Sequence, residues 1–341
     1  MTNRNSNWRT ERAAGGLPFL LKPVGKDYLW GGTRLNDDFS KGIDMLPLAE
    51  TWECSTHPDG LSVVASGEYE GWTLRDVLMK NPAYLGEKHA EKKGDIPILI
   101  KFIDAKSDLS VQVHPDDEYA REHENGSRGK FEMWYVLDAQ KGAEIVYGFH
   151  RDMDRETLLQ SLKAGTIEKY LQSVPIHKDD MFYIPAGQVH AIGAGALIAE
   201  IQESSNLTYR LYDHNRLDKD GKPRPLHIEK AVQVVNFKGG EEPRQPMRVL
   251  KFKRGYATEL LCRCKYFQTE RMLLNTERWR DGAEFQTGAD SFQVLLCTEG
   301  VGTLAGRTEG IPFIKGDCIF VPAGSEPLRL HGKAQLLVVE C

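Results

Sequence analysis

The stretch KDDMFYIPAGQVHAI at residues 178–192 decides the fold, because it recurs in altered form as KGDCIFVPAGSEPLRL at residues 315–330. Both copies contain a lysine, an aspartate two residues later, an apolar run and the turn sequence Pro-Ala-Gly. Self-similarity of this kind within a chain indicates two units of related structure. The second copy has Pro327 where the first has His190. We therefore predict two β modules, of which the first carries chemistry and the second lacks it.

Most of the remaining sequence is typical of short strands joined by turns. Runs rich in β-branched and aromatic residues are bounded by Gly, Pro and Asp, as in IPILIKFIDA, MWYVLDA, EIVYGF and ALIAEIQ. Two segments, at about 73–93 and 154–173, instead space their apolar residues as a helix does. In the first, Thr73 is placed to cap a helix that Pro82 interrupts. The pattern predicts a mainly β protein, a sandwich or barrel, with a few helices.

The chain has 341 residues, which is more than one hydrophobic core usually serves, so we expect more than one domain. Its composition indicates three regions. Residues 1–16, MTNRNSNWRTERAAGG, are polar and lack apolar periodicity, which is typical of a disordered leader. The stretch GGEEPRQP at 239–246 has the glycine, proline and charge content of a linker. We therefore predict a catalytic module at 17–245, containing both helical insertions, and a C-terminal module at 246–341.

Charge and hydropathy exclude two classes of partner. The formal net charge is −5, so no overall positive field exists to attract nucleic acid or anionic lipid. No run of about 18 apolar residues is present to cross a bilayer, and the N-terminus has no apolar signal region. We expect a cytoplasmic protein that binds neither nucleic acid nor membrane, and the sequence carries no prediction of oligomeric state.

The six cysteines are predicted to be reduced core thiols, because most of them lie in apolar, strand-like runs without C-x-x-C spacing. Cys262 and Cys264 share a face if LLCRCKYF is extended. This pair leaves redox or metal chemistry open as an alternative.

Polar residues that alternate with valines point to a metal site. In LSVQVHPDD at 109–117, Gln112 and His114 fall on one face of a strand, since side chains alternate with a period of two. Glu132 begins the apolar run EMWYVLDA, and His190 follows a Pro-Ala-Gly turn. Two imidazoles, a carboxylate and an amide oxygen form a plausible ligand set for a divalent metal. Each residue alone is also explained by hydrogen bonding or by surface exposure.

At these residues the sequence resembles the cupin superfamily and, within it, the short bacterial form of the type I mannose-6-phosphate isomerases. The resemblance runs from about residue 28 to residue 231. It is carried by YLWGGTRL, ETWECSTHPDG, LIKFIDAKSDLSVQVHPDD, GKFEMWYVLDA, IPAGQVHAIGAG, LIAEIQESSNLTYRLYDHNR and LHIEKA. It implies two cupin-like jelly-roll barrels, of which the C-terminal one lacks metal ligands. The implied reaction is the zinc-dependent interconversion of mannose 6-phosphate and fructose 6-phosphate through an enediol.

The resemblance also implies roles for single residues. One Zn²⁺ per chain is expected on His114, Glu132 and His190, with Gln112 as an additional ligand. Arg210, in TYRLYDHNR, matches the family's catalytic arginine. Three further residues match positions that line the sugar-phosphate pocket of the family: Lys101, Ser110 and Lys130.

Several alternatives stay open beside this interpretation. Lys130 is assigned as the proton-transferring group, although a zinc-bound water or a nearby acid is also chemically suitable. Arg210 has a purely structural alternative, which is pairing with Asp213. The whole site has two alternatives: an iron cupin dioxygenase, and a sugar-phosphate sensor that binds without turnover.

Overall fold

A computed structural model describes residues 16–218, 220–244, 248–307 and 309–341. Residues 1–15 of the predicted leader lie outside the described residues, and so does the predicted module boundary between residues 245 and 246. The division into two modules therefore stays a prediction.

The described chain is mainly β, as predicted. The strands of the first 245 residues are β1 (Phe19–Lys22), β2 (Val24–Lys26), β3 (Glu50–Cys54), β4 (Val63–Val64), β5 (Ile98–Asp104), β6 (Val111–Val113), β7 (Glu132–Ala139), β8 (Glu144–Phe149), β9 (Leu171–Pro175), β10 (Met181–Ile184), β11 (His190–Ile192), β12 (Ala196–Glu203) and β13 (Tyr209–Tyr212). Those that follow are β14 (Lys251–Lys253), β15 (Tyr256–Arg263), β16 (Gln268–Asn275), β17 (Ala283–Phe285), β18 (Gln293–Ala305), β19 (Gly310–Ile314), β20 (Cys318–Val321) and β21 (Leu328–Glu340).

The helices are short and lie between strands of the first part of the chain. They are α1 (Arg34–Asp37), α2 (Leu74–Lys80), α3 (Asp117–His123), α4 (Arg155–Ala164) and α5 (Ile228–Val234), with 3₁₀ turns at Pro82–Leu85, Ala90–Lys92 and Ile167–Lys169. Both segments predicted as helical contain helices. Thr73 caps α2 by accepting a hydrogen bond from the Asp76 amide, and a 3₁₀ turn replaces the α-helix at Pro82. Within the described ranges, every helix is too short or too polar to span a bilayer.

The strands form three hydrogen-bonded sheets. A five-stranded sheet has the order β13-β6-β11-β8-β9, and a six-stranded sheet has the order β10-β7-β12-β5-β3-β2. A ten-stranded sheet follows the path β14-β15-β16-β21-β18-β20-β1-β4, with β17 added to β21 and β19 to β18. In the described residues these are open sheets packed face to face, the double-sheet arrangement of a jelly roll, rather than rings of strands that close on themselves.

Four apolar clusters show how the sheets are layered. The five- and six-stranded sheets share a core that includes Ile145, Ile192 and Val136. The opposite face of the six-stranded sheet packs against the ten-stranded sheet. A third cluster lies among the strands β16 to β21, and a fourth lies between the five-stranded sheet and the helices α4 and α5. Val111 and Val113 lie in this fourth cluster. Gln112 and His114 therefore point toward the six-stranded sheet, as the alternation predicted.

The internal repeat is visible as two strand-turn-strand units. The first is β10, a turn and β11; the second is β20, a turn and β21. In both, the aspartate of the shared frame accepts a backbone hydrogen bond from the residue three positions earlier, at 2.8 Å for both Asp180 and Asp317. Gly187 and Gly324 occupy the same position in the two turns with φ of +84° and +63°, where a side chain would be strained. The sequence echo is therefore also a structural one.

The N-terminal strand ties the two parts of the chain together. β1 pairs with β20 in antiparallel register, so the start of the described chain completes the ten-stranded sheet. Phe320 of β20 is fully buried and stacks on Phe19 at 5.3 Å and on Phe292 at 5.0 Å between ring centroids. This aromatic stack joins residues about 300 positions apart in sequence and lies in the core between the sheets.

Truncation of this stack is expected to destabilise the whole protein. Phe320→Ala removes a fully buried ring and should lower the free energy of unfolding by about 3–5 kcal/mol in urea titrations. Phe252→Ala is the matched control, because this ring is 80% exposed on β14 and its loss should change stability by less than about 0.5 kcal/mol. Equal effects of the two substitutions would contradict the assigned packing.

Candidate metal and substrate site

The site lies between two rows of polar residues on facing sheets. On the five-stranded sheet, Arg210 of β13 is paired in register with Gln112 of β6, and Gln112 with His190 of β11. Residues that are directly opposite in a ladder present their side chains on the same face. This register explains why residues separated by up to 98 positions in sequence point into one space.

The facing row runs across the six-stranded sheet. Trp52, Lys101, Glu200 and Trp134 are register partners on the successive strands β3, β5, β12 and β7. Glu132 lies two residues before Trp134 on β7 and therefore points to the same side. The Trp134 ring packs edge-on against the His190 imidazole at 5.4 Å, which places the two rows in contact.

Glu132 joins the two histidines into one cluster. Its Oε1 lies 3.2 Å from His114 Nε2, and its Oε2 lies 3.5 Å from His190 Nε2. All three side chains are buried, and one donor atom from each lies within 4.8 Å of the others. The structure thus brings together His114, Glu132 and His190, as the metal hypothesis requires.

The hydrogen bonds of the two imidazoles prepare them for a metal. His114 Nδ1 is 2.9 Å from the Leu207 carbonyl, and His190 Nδ1 is 2.8 Å from the Gln188 carbonyl. A carbonyl accepts only, so each Nδ1 donates and each Nε2 keeps its lone pair for the cluster. Burial, with the Lys130 charge nearby, lowers the pKa of His114 to about 3, and burial lowers the pKa of His190. Both rings are therefore neutral, the form that binds metals.

Orphaned polar atoms give a direct test of whether a metal fits this cluster. Within the part of the chain that the structure describes, His190 Nε2 and Glu132 Oε2 are buried and have no hydrogen-bond partner. An unsatisfied buried polar atom costs about 1–3 kcal/mol, so two that converge on one point call for a shared ligand. Two imidazole nitrogens and a carboxylate match the donors of a catalytic zinc site. The residues present therefore fit a divalent cation.

Lys130 connects this cluster to the adjacent cavity. Its Nζ donates to Glu132 Oε1 at 2.5 Å and lies 3.5 Å from His114 Nε2. Although burial disfavours the charged carboxylate, Lys130 and His114 hold the pKa of Glu132 well below its usual range. Lys130 also lines the cavity, so its ammonium group lies between the metal donors and the space open to a substrate.

The cavity has a volume of about 280 Å³, and five of the eight predicted site residues line it. Arg210 lies on one side of it, where its Nε donates to Ser110 Oγ at 3.2 Å and its NH1 donates to the Pro225 carbonyl at 2.9 Å. The predicted site residues on its lining are Lys101, Ser110, Gln112, Lys130 and Arg210. The other three form the metal cluster behind Lys130.

Arg210 does not form the ion pair with Asp213 that the structural alternative requires. Asp213 pairs with Arg216 at 2.6 Å and with Arg224, whose Nε donates to the second carboxylate oxygen at 2.7 Å. These two cations fill both oxygens of Asp213, and Arg210 forms no ion pair with any residue in the described ranges. The Arg210 guanidinium, partly buried at the cavity wall, therefore keeps its charge available to an anionic ligand.

Lys101 is buried between two carboxylates, which the sequence did not indicate. Its Nζ lies 3.6 Å from Glu50 and 3.4 Å from Glu200, and the side chain is 5% exposed. Although burial opposes the charged form, Glu50 and Glu200 raise the pKa of Lys101. The predicted phosphate contact thus belongs to a lysine whose charge is already compensated.

Three charged residues of the cavity lining were not predicted from the sequence: Glu50, Glu200 and Arg224. Glu200 accepts a hydrogen bond from Trp134 Nε1 at 2.9 Å through Oε2, while its Oε1 accepts none in the described structure. Burial and the neighbouring Glu132 charge raise the pKa of Glu200. Glu200 could have been found as the one charged residue within the apolar run ALIAEIQ, whereas nothing in KPRPLH marks Arg224.

The thiol alternative for metal binding finds no support in the described residues. There, the cluster His114, Glu132 and His190 is the one group of three or more ligand-bearing side chains close enough to share an ion. All six cysteines are free thiols, and Cys262 is buried.

Two family models match the chain. The model described as phosphomannose isomerase type I, catalytic domain, matches residues 18–150, and the one described as mannose-6-phosphate isomerase, cupin domain, matches residues 257–341. Mannose-6-phosphate isomerase ManA of Bacillus subtilis (strain 168) is 38% identical over 324 residues, which cover 94% of this chain and 98% of that protein.

Solved structures agree with these matches. The crystal structure of the mannose 6-phosphate isomerase from Bacillus subtilis has a TM-score of 0.85 and 34% identity, covering 95% of this chain and 99% of that one. A structure described as mannose 6-phosphate isomerase bound with zinc and yttrium has a TM-score of 0.73 over 95% of this chain and 99% of its own. At 18% identity, the latter shows likeness of fold alone. The predicted cupin fold class is thereby confirmed.

Loss of the Lys101 charge is expected to lower the stability of the folded protein. Lys101→Met leaves Glu50 and Glu200 buried without their cation, so the free energy of unfolding should fall by about 3–5 kcal/mol at neutral pH. Lys178→Met is the control, because the Lys178–Glu299 pair is on the surface and contributes about 0–1 kcal/mol. Chemical denaturation of both variants measures the difference. Unchanged stability of Lys101→Met, with weakened phosphate binding, would contradict the structural role.

Proposed function

The chain belongs to the type I phosphomannose isomerase family, and from that premise we propose that it interconverts mannose 6-phosphate and fructose 6-phosphate through an enediol at one zinc ion per chain. The observation that carries the proposal is the junction at Lys130, where buried metal donors meet a cavity lined by cations. The six free thiols also fit a cytoplasmic enzyme, since reduced cysteines persist in that compartment.

Zinc is the proposed cofactor because two imidazoles and a carboxylate are the donors that it prefers. His114, Glu132 and His190 would hold it, and Gln112, paired in register with His190, is the proposed additional ligand. When bound, zinc supplies a Lewis acid that stabilises negative charge on oxygen without redox chemistry. A structure of similar fold is described as mannose 6-phosphate isomerase bound with zinc and yttrium.

The cavity cations suit the anionic substrate. Arg210 and Ser110 are already joined by a hydrogen bond, so a phosphate or sugar oxygen at this wall meets an oriented donor pair. Arg210 is also proposed to stabilise the negative charge that develops as the enediol forms, because a guanidinium stays protonated at every relevant pH. Lys101 completes the wall and orients Glu200 through their contact.

Proton transfer between C2 and C1 needs a group that reaches the sugar from within the cavity. Lys130 is the proposed proton-transferring group, because it lines the cavity and contacts Glu132 and His114: as a neutral amine it would accept the proton from one carbon, and as the ammonium so formed it would return it to the other. Glu200 is the second candidate, since one of its oxygens is held by Trp134 and the other accepts no hydrogen bond from the described residues. A carboxylate with one oxygen free of hydrogen bonds can exchange a proton at that oxygen.

Removal of one histidine is expected to abolish both metal binding and turnover. His114→Ala deletes one of three fixed donors, so the purified variant should lose its equivalent of zinc and its isomerase activity. His177→Ala is the control, because its side chain is 79% exposed and lies outside the cluster. Metal analysis is combined with an assay that couples fructose 6-phosphate formation to a dehydrogenase.

The same experiment separates the alternatives. Ferrous-dependent oxygen uptake without isomerisation would favour a dioxygenase. Tight binding of mannose 6-phosphate without turnover would favour a sensor. Zinc content and turnover that are identical in His114→Ala and the wild type would overturn the proposed metal site.

Loss of the Arg210 charge is expected to reduce catalysis selectively. Arg210→Gln removes charge-assisted hydrogen bonds worth about 1.5–3 kcal/mol, so kcat/KM for mannose 6-phosphate should fall about 10- to 100-fold. Arg254→Gln is the control, because this side chain is 62% exposed and pairs with Asp281 outside the cavity. Steady-state kinetics of both variants measure the effect, and equal kcat/KM values would contradict the role of Arg210.

A further inference from the structure

We propose that Tyr266, in the second half of the chain, is a positioning residue for the isomerase site, because it fixes the segment Gly129–Phe131 that brings Lys130 into the cavity. This inference rests on the proposed function for its catalytic consequence. The contacts of Tyr266 and of the residues around it hold this backbone segment in place.

Tyr266 lies in the tight turn between β15 and β16. The turn is closed by a hydrogen bond from the Cys264 amide to the Phe267 carbonyl at 3.0 Å. Phe267 is buried in the core between the six- and ten-stranded sheets, so the turn is anchored to the second half of the chain. Tyr266 is thereby presented to residues of the first half.

The Tyr266 hydroxyl reaches the Gly129–Phe131 segment through one carboxylate. It donates to Asp117 Oδ2 at 2.9 Å, and Asp117 Oδ1 accepts the Gly129 amide at 3.0 Å. Burial raises the pKa of Tyr266, so its hydroxyl stays a donor. Although burial acts in the opposite direction, the Gly129 amide and Tyr266 lower the pKa of Asp117, which stays an acceptor. Asp117 is therefore a bridge between Tyr266 and the backbone of the segment.

The Tyr266 ring holds the other end of the segment. Its centroid lies 5.1 Å from that of Phe131, whose ring also lies 6.1 Å from Tyr183. The Phe131 amide donates to Glu203 Oε2 at 3.0 Å, and the Phe131 carbonyl accepts the Glu203 amide at 3.0 Å. Phe131 is therefore held by a ring contact with Tyr266 and by two hydrogen bonds with Glu203.

The backbone of this segment has little freedom to move when both of its ends are held. The Lys130 amide donates to the Pro115 carbonyl at 3.0 Å. A Cβ on Gly129 would lie 2.4 Å from the Asp116 carbonyl carbon, so the backbone packs directly against the start of α3. Lys130 follows Gly129, and its Nζ is 2.5 Å from Glu132. A shift of this segment would therefore move the ammonium relative to both the metal donors and the substrate.

Tyr266→Phe tests the inference, because it removes the hydroxyl and keeps the ring. We expect kcat for mannose 6-phosphate to fall about 10-fold with KM changed by less than about twofold, since a displaced catalytic group affects the transition state more than binding. Zinc content should be unchanged. Amide hydrogen exchange of Gly129 and Phe131, measured by mass spectrometry or NMR, should become faster.

Tyr256→Phe is the matched control, because Tyr256 begins β15, at the end of that strand far from the Tyr266 turn, and lies outside the substrate cavity. Exchange of the Gly129 and Phe131 amides in Tyr266→Phe equal to that in Tyr256→Phe would overturn the inference, whatever the turnover. Faster exchange with an unchanged kcat would overturn it as well. If the wild-type protein lacks isomerase activity, the proposed function fails, and hydrogen exchange still decides whether Tyr266 holds the segment.

Discussion

The charge of Glu132 is the constraint on which the rest of the structure depends. A carboxylate that is 1% exposed loses its hydration, at a cost of several kcal/mol, unless donors or cations surround it. His114 and His190 approach it from the facing sheet and Lys130 from the adjacent segment. The fold must therefore keep two sheets in one register, because a shift of either sheet would leave a buried charge uncompensated.

The register of β7 is fixed from both of its faces. Glu132 and Trp134 point toward the site, whereas Met133 and Tyr135 lie in the core that the six-stranded sheet forms with the ten-stranded sheet. A slip by one residue would place Met133 in the site and Glu132 in that apolar core. Packing of the second half of the chain on one face thus determines which side chains face the metal donors on the other.

Local sequence periodicity predicted the parts of this arrangement that depend on near neighbours. The alternation around Gln112 and His114 was confirmed because a strand has a period of two, and the cap at Thr73 was confirmed because capping depends on the next three residues. The partners of Lys101 and Asp213 were not predictable in the same way. Lys101 meets Glu200 only because β5 pairs with β12, and Asp213 is filled by Arg216 and Arg224 rather than Arg210. Contacts of this kind follow from tertiary pairing, which no single stretch of sequence contains.

The second half of the chain shows how a repeat keeps its structural task while its chemistry differs. Pro327 stands where the first copy has His190, yet Asp317 and the following turn retain the hydrogen bond and the positive φ of the first copy. Its sheet covers the strands that carry Glu132 and Glu200, so its role depends on shape and apolar surface rather than on ligands. This sheet can place a single side chain such as Tyr266 beside the site, because the packing of Phe267 already fixes the turn on which Tyr266 lies.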